Sequence, residues 1–388
     1  MPFPLSPSLA AIHPPPITEV KSWIVGRTFP VDKPLIDLCQ AVPDYAPAPA
    51  LVEALLPFLQ DPLTSKYSPD EGLLEVRQAI AAWYVRRYGA GPQAAEICLT
   101  IGASQAFWLA MVTLCQAGDE VIVPLPAYFD HPMALAAYGV VPRYLPYSED
   151  RAGLPDPAQI ADAITAKTRA ILLVSPSNPT GAILPPALVR ELYDLARRRN
   201  LALILDETYN AFAPATTRHD LFRAPTWGDH FIQIASFGKT FALTGYRAGA
   251  LIAGERVITA ALKVQDSMAV CAPRLTQQAI AWGCDHLDDW VDANARIMQE
   301  RHDLFKSSFA APGNRFTLSA SGAFFAWVRH PFTGESGRQV AQRLAVEENL
   351  ICLPGEVVGP GLEGYLRLAF GNIEAAAIPA AVQRFRAL

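Results

Sequence analysis

Ser236-Phe-Gly-Lys239-Thr-Phe-Ala-Leu-Thr-Gly-Tyr-Arg247 sets a lysine between a hydroxyl and an arginine, directly after the apolar run Phe231–Ala235. That run reads as a buried strand, and a lysine at its end is costly to bury as an ammonium. Its pKa should fall toward the neutral amine that condenses with a carbonyl to a Schiff base. Ser236 and Arg247 offer a hydroxyl donor and a fixed cationic fork, a pair suited to a phosphate. A reactive amine beside a phosphate site predicts a phosphorylated carbonyl compound as ligand. Read alone, the segment also fits an exposed lysine in a glycine-rich turn, and its neighbours decide between the two.

Three further segments fall at strand ends. Gly102-Ala103-Ser104 stands between a strand candidate, Ile97–Ile101, and a helix over Ala103–Cys115, so the amides of Ala103 and Ser104 can hold an anion. Ser177-Asn178-Pro179-Thr180-Gly181 follows a strand ending at Val174, and Asp206-Glu207-Thr208-Tyr209 follows one ending at Leu205. Each has a plain reading by itself: a helix start, an Asn-Pro turn, a strand-ending acid. Together they place an amide, a carboxylate, a phenol and a lysine where an open parallel sheet binds its ligands.

The elements that must position these groups are short and wholly apolar: Glu120–Val123, Ala170–Val174, Leu201–Leu205 and Phe231–Ala235. Strands buried on both faces of a parallel sheet look like this, with helices as crossovers. Glu191–Arg199 is one such helix, its basic residues near the C-terminal end as the dipole prefers and solvated rather than binding nucleic acid. From about Asp285 a long polar-faced helix leads to two more strand candidates, Ala323–Val328 and Tyr365–Phe370. The expected fold is α/β: a large domain over 51–285 with a mostly parallel sheet sandwiched by helices, and a smaller α+β domain over 286–388. Residues 1–50, proline-rich at Pro14–Pro16 and Pro43–Pro49, read as an extended arm and part of the small domain.

At 388 residues the chain exceeds one typical core, and with 51% apolar and 18% charged residues it is not disordered. A net charge of -5 without a basic stripe argues against a nucleic-acid partner. No apolar run is long enough for a bilayer, and the start Met1-Pro-Phe-Pro-Leu-Ser-Pro7 lacks the pattern of a signal peptide. Six cysteines scattered without C-x-x-C spacing fit reduced core thiols in the cytoplasm, not a metal site or a disulfide frame.

The motifs, in this order, resemble the class I/II pyridoxal-phosphate aminotransferases, the aspartate aminotransferase superfamily of fold type I, over nearly the whole chain. The resemblance rests on Ser177-Asn-Pro-Thr-Gly181, Asp206-x-x-Tyr209 and Ser236-x-x-Lys239 with Arg247 behind it. It implies pyridoxal 5′-phosphate as cofactor and Lys239 as the Schiff-base lysine. Asp206 would pair with the pyridine nitrogen, and Asn178 and Tyr209 would donate to the ring's phenolic oxygen. Ala103, Ser104, Ser236 and Arg247 match the phosphate cup, and Tyr128 matches the aromatic ring stacked on the cofactor. His131 falls where some members bond a histidine to that aspartate, although a lone histidine reads equally well as packing. Tyr67 is similar to the tyrosine sent across a homodimer interface to the neighbour's phosphate. Arg367 resembles the arginine that clamps the substrate α-carboxylate; independently, an arginine inside an apolar strand needs a partner.

Two positions depart from the family pattern. Ala41 stands where the N-terminal segment usually carries a glycine against the substrate carboxylate, and Gly238 stands where many relatives have serine. Ser-x-Gly-Lys-Thr-Phe-x-x-Thr-Gly, with Gln40-x-x-Pro-Asp-Tyr45, leans toward the kynurenine and glutamine–phenylpyruvate branch. Trp23, Phe107, Trp108, Phe324 and Phe325 are candidates either to line a pocket for an aromatic or large apolar side chain or to pack the core. The activity implied is ping-pong transfer of an amino group between an L-amino acid and a 2-oxo acid. Alternatives on the same scaffold are a C–S lyase and, in a different class, a cofactor-sensing regulator. The regulator needs a DNA-binding head ahead of Leu38, for which the short proline-rich start leaves no room.

Overall fold

The computed structural model describes residues 3–10 and 12–388; Met1, Pro2 and Ala11 of the expected arm lie outside the described residues. The arm holds two short helices, α1 (Pro7–Ala10) and α2 (Pro16–Ser22), and a strand, β1 (Ile36–Asp37). Pro16 opens α2, where a missing N–H leaves no hydrogen bond unmade. Two longer helices follow, α3 (Pro49–Gln60) and α4 (Leu74–Tyr88), the second stopped by Gly89 in the left-handed conformation.

The large sheet comprises β2 (Ile97–Ile101), β3 (Glu120–Pro124), β4 (Val141–Leu145), β5 (Thr168–Val174), β6 (Ala202–Asp206), β7 (Phe231–Ala235) and β8 (Ala248–Ala253). Their order is β2-β8-β7-β6-β5-β3-β4, and β8 alone runs against the rest. Alternate residues enter opposite cores: Ile171 and Leu173 one, Ala170 and Leu172 the other, with Leu203, Leu205 and Ile204 split the same way. Burial on both faces is why these strands read as unbroken apolar runs. Helices α5 (Gly102–Leu114) and α6 (Asp130–Tyr138) leave the ends of β2 and β3.

β4 and β8 have no counterpart in the sequence reading. β4, Val-Pro-Arg-Tyr-Leu, is an edge strand with mixed exposure and therefore shows no apolar run. β8, Ala-Gly-Ala-Leu-Ile-Ala, is fully buried, but its small residues lack the β-branched signature of a strand.

The smaller sheet is antiparallel and follows a 22-residue helix, Asp288–Phe309. Its strands are β9 (Thr317–Gly322), β10 (Phe325–Arg329), β12 (Leu353–Pro354) and β13 (Tyr365–Ala369), in the order β12-β13-β10-β9; β11 (Leu350–Ile351) instead pairs in parallel with β1 of the arm. β10 begins two residues later than the sequence pattern suggests. Ala323, at φ 48°, and Phe324 form the connection from β9 instead. None of the described helices is long and apolar enough to cross a membrane.

Candidate active site

Strand register assembles the site. Val174 pairs with Asp206 and Asp206 with Ile234, so the C-terminal ends of β5, β6 and β7 stand level. The turns that leave them deliver Asn178, Tyr209, Ser236 and Lys239 to one edge. On the other side Ile101 pairs with Ala248, so Arg247 enters β8 beside the start of α5. A cavity of about 830 Å³ opens there, and every sequence-derived site residue except Tyr67 lines it.

Lys239 sits in a short helical turn, Phe237–Thr240. Burial, with repulsion from Arg247 and then Arg367, pulls its amine down to about 7. Its Nζ donates to the Ala41 carbonyl at 2.6 Å and lies 6.0 Å from the centre of the Tyr209 ring. The turn ahead is equally determined: Asp206 Oδ1 accepts from Thr208 N at 2.9 Å, and Oδ2 lies 3.1 Å from His131 Nε2. His131 is buried between the rings of Phe107 and Tyr128, so it holds Asp206 instead of facing solvent. Tyr209 packs edge-on against Phe324 and Phe325, and burial pushes its hydroxyl pKa up. Tyr128 donates its hydroxyl to Asp130.

The fit to a phosphorylated pyridine aldehyde can be tested on this geometry. At Gly102, φ +75°, an added Cβ would stand 2.5 Å from Arg247 Nη2, so the guanidinium and the opening of α5 share a cradle only glycine leaves free. Gly249 lets β8 approach the same turn, since a Cβ there would meet the Gly102 carbonyl carbon at 2.4 Å. Arg367 lies on β13 between Trp327 and Leu353 and is 1% exposed, at the wall of the cavity. Its Nη2 donates to the Cys39 carbonyl at 2.6 Å, while Nε and Nη1 have no protein partner. Buried uncommitted donors on a guanidinium suit a carboxylate. The amide of Asn178 is buried beside them with its acceptor oxygen Oδ1 unpartnered. The donor set therefore fits pyridoxal phosphate and an amino-acid carboxylate together.

The two alternatives left for the aromatics divide between them. Phe107 and Trp108 line the cavity, but Trp23, Phe324 and Phe325 do not: Phe324 and Phe325 are fully buried behind Tyr209 and Trp23 packs between two cores. Tyr67 is 77% exposed and does not line its own chain's cavity. Sequence reasoning missed the inner side of the arm, where Leu9, Ile12, His13 and Ile17 form a wall, and it missed Asp130. The proline run marked an arm lying on something, but no local signal said on what.

Fold and site together define a pyridoxal-phosphate-dependent enzyme of fold type I. The chain belongs to the class I and II aminotransferase family, whose sequence profile matches residues 33–385. It is 27% identical over 378 residues to an aromatic aminotransferase of Arabidopsis thaliana, covering 96% of this chain and 93% of that one. An aspartate aminotransferase of Pyrococcus horikoshii is 29% identical over 343 residues, 87% of this chain and 86% of the other. A mutant aspartate aminotransferase of Thermus thermophilus superposes with a TM-score of 0.89 at 26% identity, covering 99% of each chain. The protein is thus an aminotransferase.

Proposed function

We propose that the enzyme moves the amino group of an aromatic or large neutral L-amino acid to a 2-oxo acid, in two alternating half-reactions at one site. The observation that carries this is a single cavity holding Lys239, with an amine at about 7, and Arg367, with two buried donors uncommitted. Ala103, Ser104, Ser236 and Arg247 would hold the cofactor's phosphate, Tyr128 its ring face, and Asn178 and Tyr209 its phenolic oxygen. Bound pyridoxal phosphate supplies electron withdrawal from the substrate Cα. Asp206, steadied by His131, presents a carboxylate to the ring nitrogen's proton. Arg367 takes the substrate α-carboxylate on Nε and Nη1, fixing which Cα bond faces Lys239. Nζ of Lys239, neutral above about pH 7, accepts the Cα proton and would deliver it to the cofactor's C4′ carbon, the reverse transfer completing the second half-reaction.

The side chain of the donor faces Leu9, Ile12 and Ile17 of the arm on one side and Phe107, Trp108 and Met133 on the other. Both arginines of the cavity already have tasks, so none is left for a second carboxylate. A second copy of the chain would cover the exposed stripe Val52, Leu56 and Leu59 of α3 and receive Tyr67 at its phosphate. All six cysteines are unpaired, which suits a reducing cytoplasm.

A panel of amino donors against 2-oxoglutarate and pyruvate tests the reading, with borohydride reduction and peptide mapping on the same protein. Phenylalanine, tyrosine or another large neutral donor should outrun aspartate by about tenfold or more. The double-reciprocal plots should be parallel, and the reduced cofactor should sit on Lys239. Faster turnover of aspartate, or trapping on another lysine, would overturn it.

A further inference from the structure

Glu207, one residue beyond Asp206, is 6% exposed and takes no part in lining the cavity. A carboxylate out of water needs donors, and two hydrogen bonds and a close imidazole converge on its Oε2. Tyr88 Oη donates at 3.0 Å, Gln233 Nε2 donates to the same oxygen, and His219 Nε2 lies 3.3 Å away. Leu221 N donates to His219 Nδ1, which puts the proton of a neutral ring on Nε2, facing the acid. Tyr84 and Arg218 are the other titratable groups nearby, and Arg218 sits 6.0 Å from the Tyr88 ring centre. The two donors come from α4 and from β7, with the loop around 219 packed against them, so the carboxylate ties α4 and β7 to the end of β6.

The Tyr88 hydroxyl has a second partner. It accepts from Asn210 Nδ2 at 2.8 Å, and Asn210 N donates to the Glu207 carbonyl at 3.0 Å. Glu207 and Asn210 stand two residues before Tyr209 and one after it, and both are fastened to one phenolic oxygen. Tyr209 is therefore the free arm of a turn stapled on both sides. A packing role alone would be met at lower cost by apolar residues, since Gln233 interrupts an otherwise apolar buried strand and leaves its Oε1 unpartnered.

We propose that Tyr88, acting through Glu207 and Asn210, is a positioning residue that holds the Tyr209 hydroxyl at the cofactor's phenolic oxygen. The inference rests on the function proposed above. A hydroxyl donating to that oxygen favours the deprotonated form of the lysine-linked chromophore, so a loosened Tyr209 raises its pKa. Arg367, Asp206, Asp130 and Lys239 also face Tyr209 and are common to every variant below.

The experiment is an absorbance titration of the holoenzyme, with cofactor dissociation measured on the same samples. Tyr88→Phe removes one oxygen and should raise the apparent pKa by about half a unit or more. Cofactor dissociation should rise about fivefold with it. Phe222→Leu, whose ring packs against Tyr88 at 5.9 Å, loosens the same core without touching the hydroxyl and should titrate as wild type. If Tyr88→Phe does not fold, Asn210→Ala carries the same expectation. A variant that melts earlier yet titrates as wild type overturns the proposal and leaves the network a stability element. Should wild type itself trap no cofactor on Lys239, the underlying function falls and the inference with it; the borohydride control separates the two failures.

Discussion

In the proposed reaction the chemistry turns on Lys239, and its environment sets a pH limit. An ordinary lysine amine is protonated through the physiological range, whereas burial and two arginines bring this one to about 7. Only the neutral amine condenses with an aldehyde. In cofactor-free protein, uptake of pyridoxal phosphate should therefore level off above about pH 7 and slow by about tenfold per unit below it. Stopped-flow absorbance reads this directly, and an uptake rate still climbing toward pH 10 would mean that the amine is not depressed. Residue type and spacing made Lys239, Asp206, Asn178, Tyr209 and Arg247 legible, because each lies at a strand end that its apolar run announces. Glu207 and His219 were not legible. A strand-ending acid and a loop histidine have no local mark of burial, and their meeting depends on a contact twelve residues apart.

At the scale of elements, the proposed phosphate cradle depends on the antiparallel strand β8. Were β8 parallel like its neighbours, Arg247 would enter at the opposite edge, far from the first turn of α5. The contact between Arg247 and Gly102 is so close that Gly102→Ala meets both a 2.5 Å clash and a left-handed backbone. That variant should bind pyridoxal phosphate about tenfold or more weakly while keeping its fold, as equilibrium dialysis beside a melting curve would show. Unchanged affinity would place the phosphate elsewhere. β8 escaped the sequence reading because alanine and glycine allow close approach without signalling a strand.

Over the whole molecule, the site borrows from three places: the large sheet, β13 of the small one, and the arm. Arg27 of the arm donates to the Ala345 and Val346 carbonyls, and α2 packs by β12, while residues nearer the start wall the cavity. Leu56 and Leu59, 56% and 61% exposed, lie with Val52 on one face of α3 beside the segment carrying Tyr67. Such a stripe calls for a partner surface. Leu56→Asp with Leu59→Asp should give a monomer by sedimentation with cofactor affinity down about tenfold; a monomeric wild type of full affinity would leave Tyr67 no role in trans. The sequence by itself determined the α/β class, five of the seven strands of the large sheet and the proposed reactive groups, because hydrophobic period and strand-end residues are local properties. Tertiary structure alone decided which way β8 runs, which aromatics face the cavity, and that the arm closes it. Those outcomes depend on pairing and burial between residues far apart in the chain, and no local pattern encodes them.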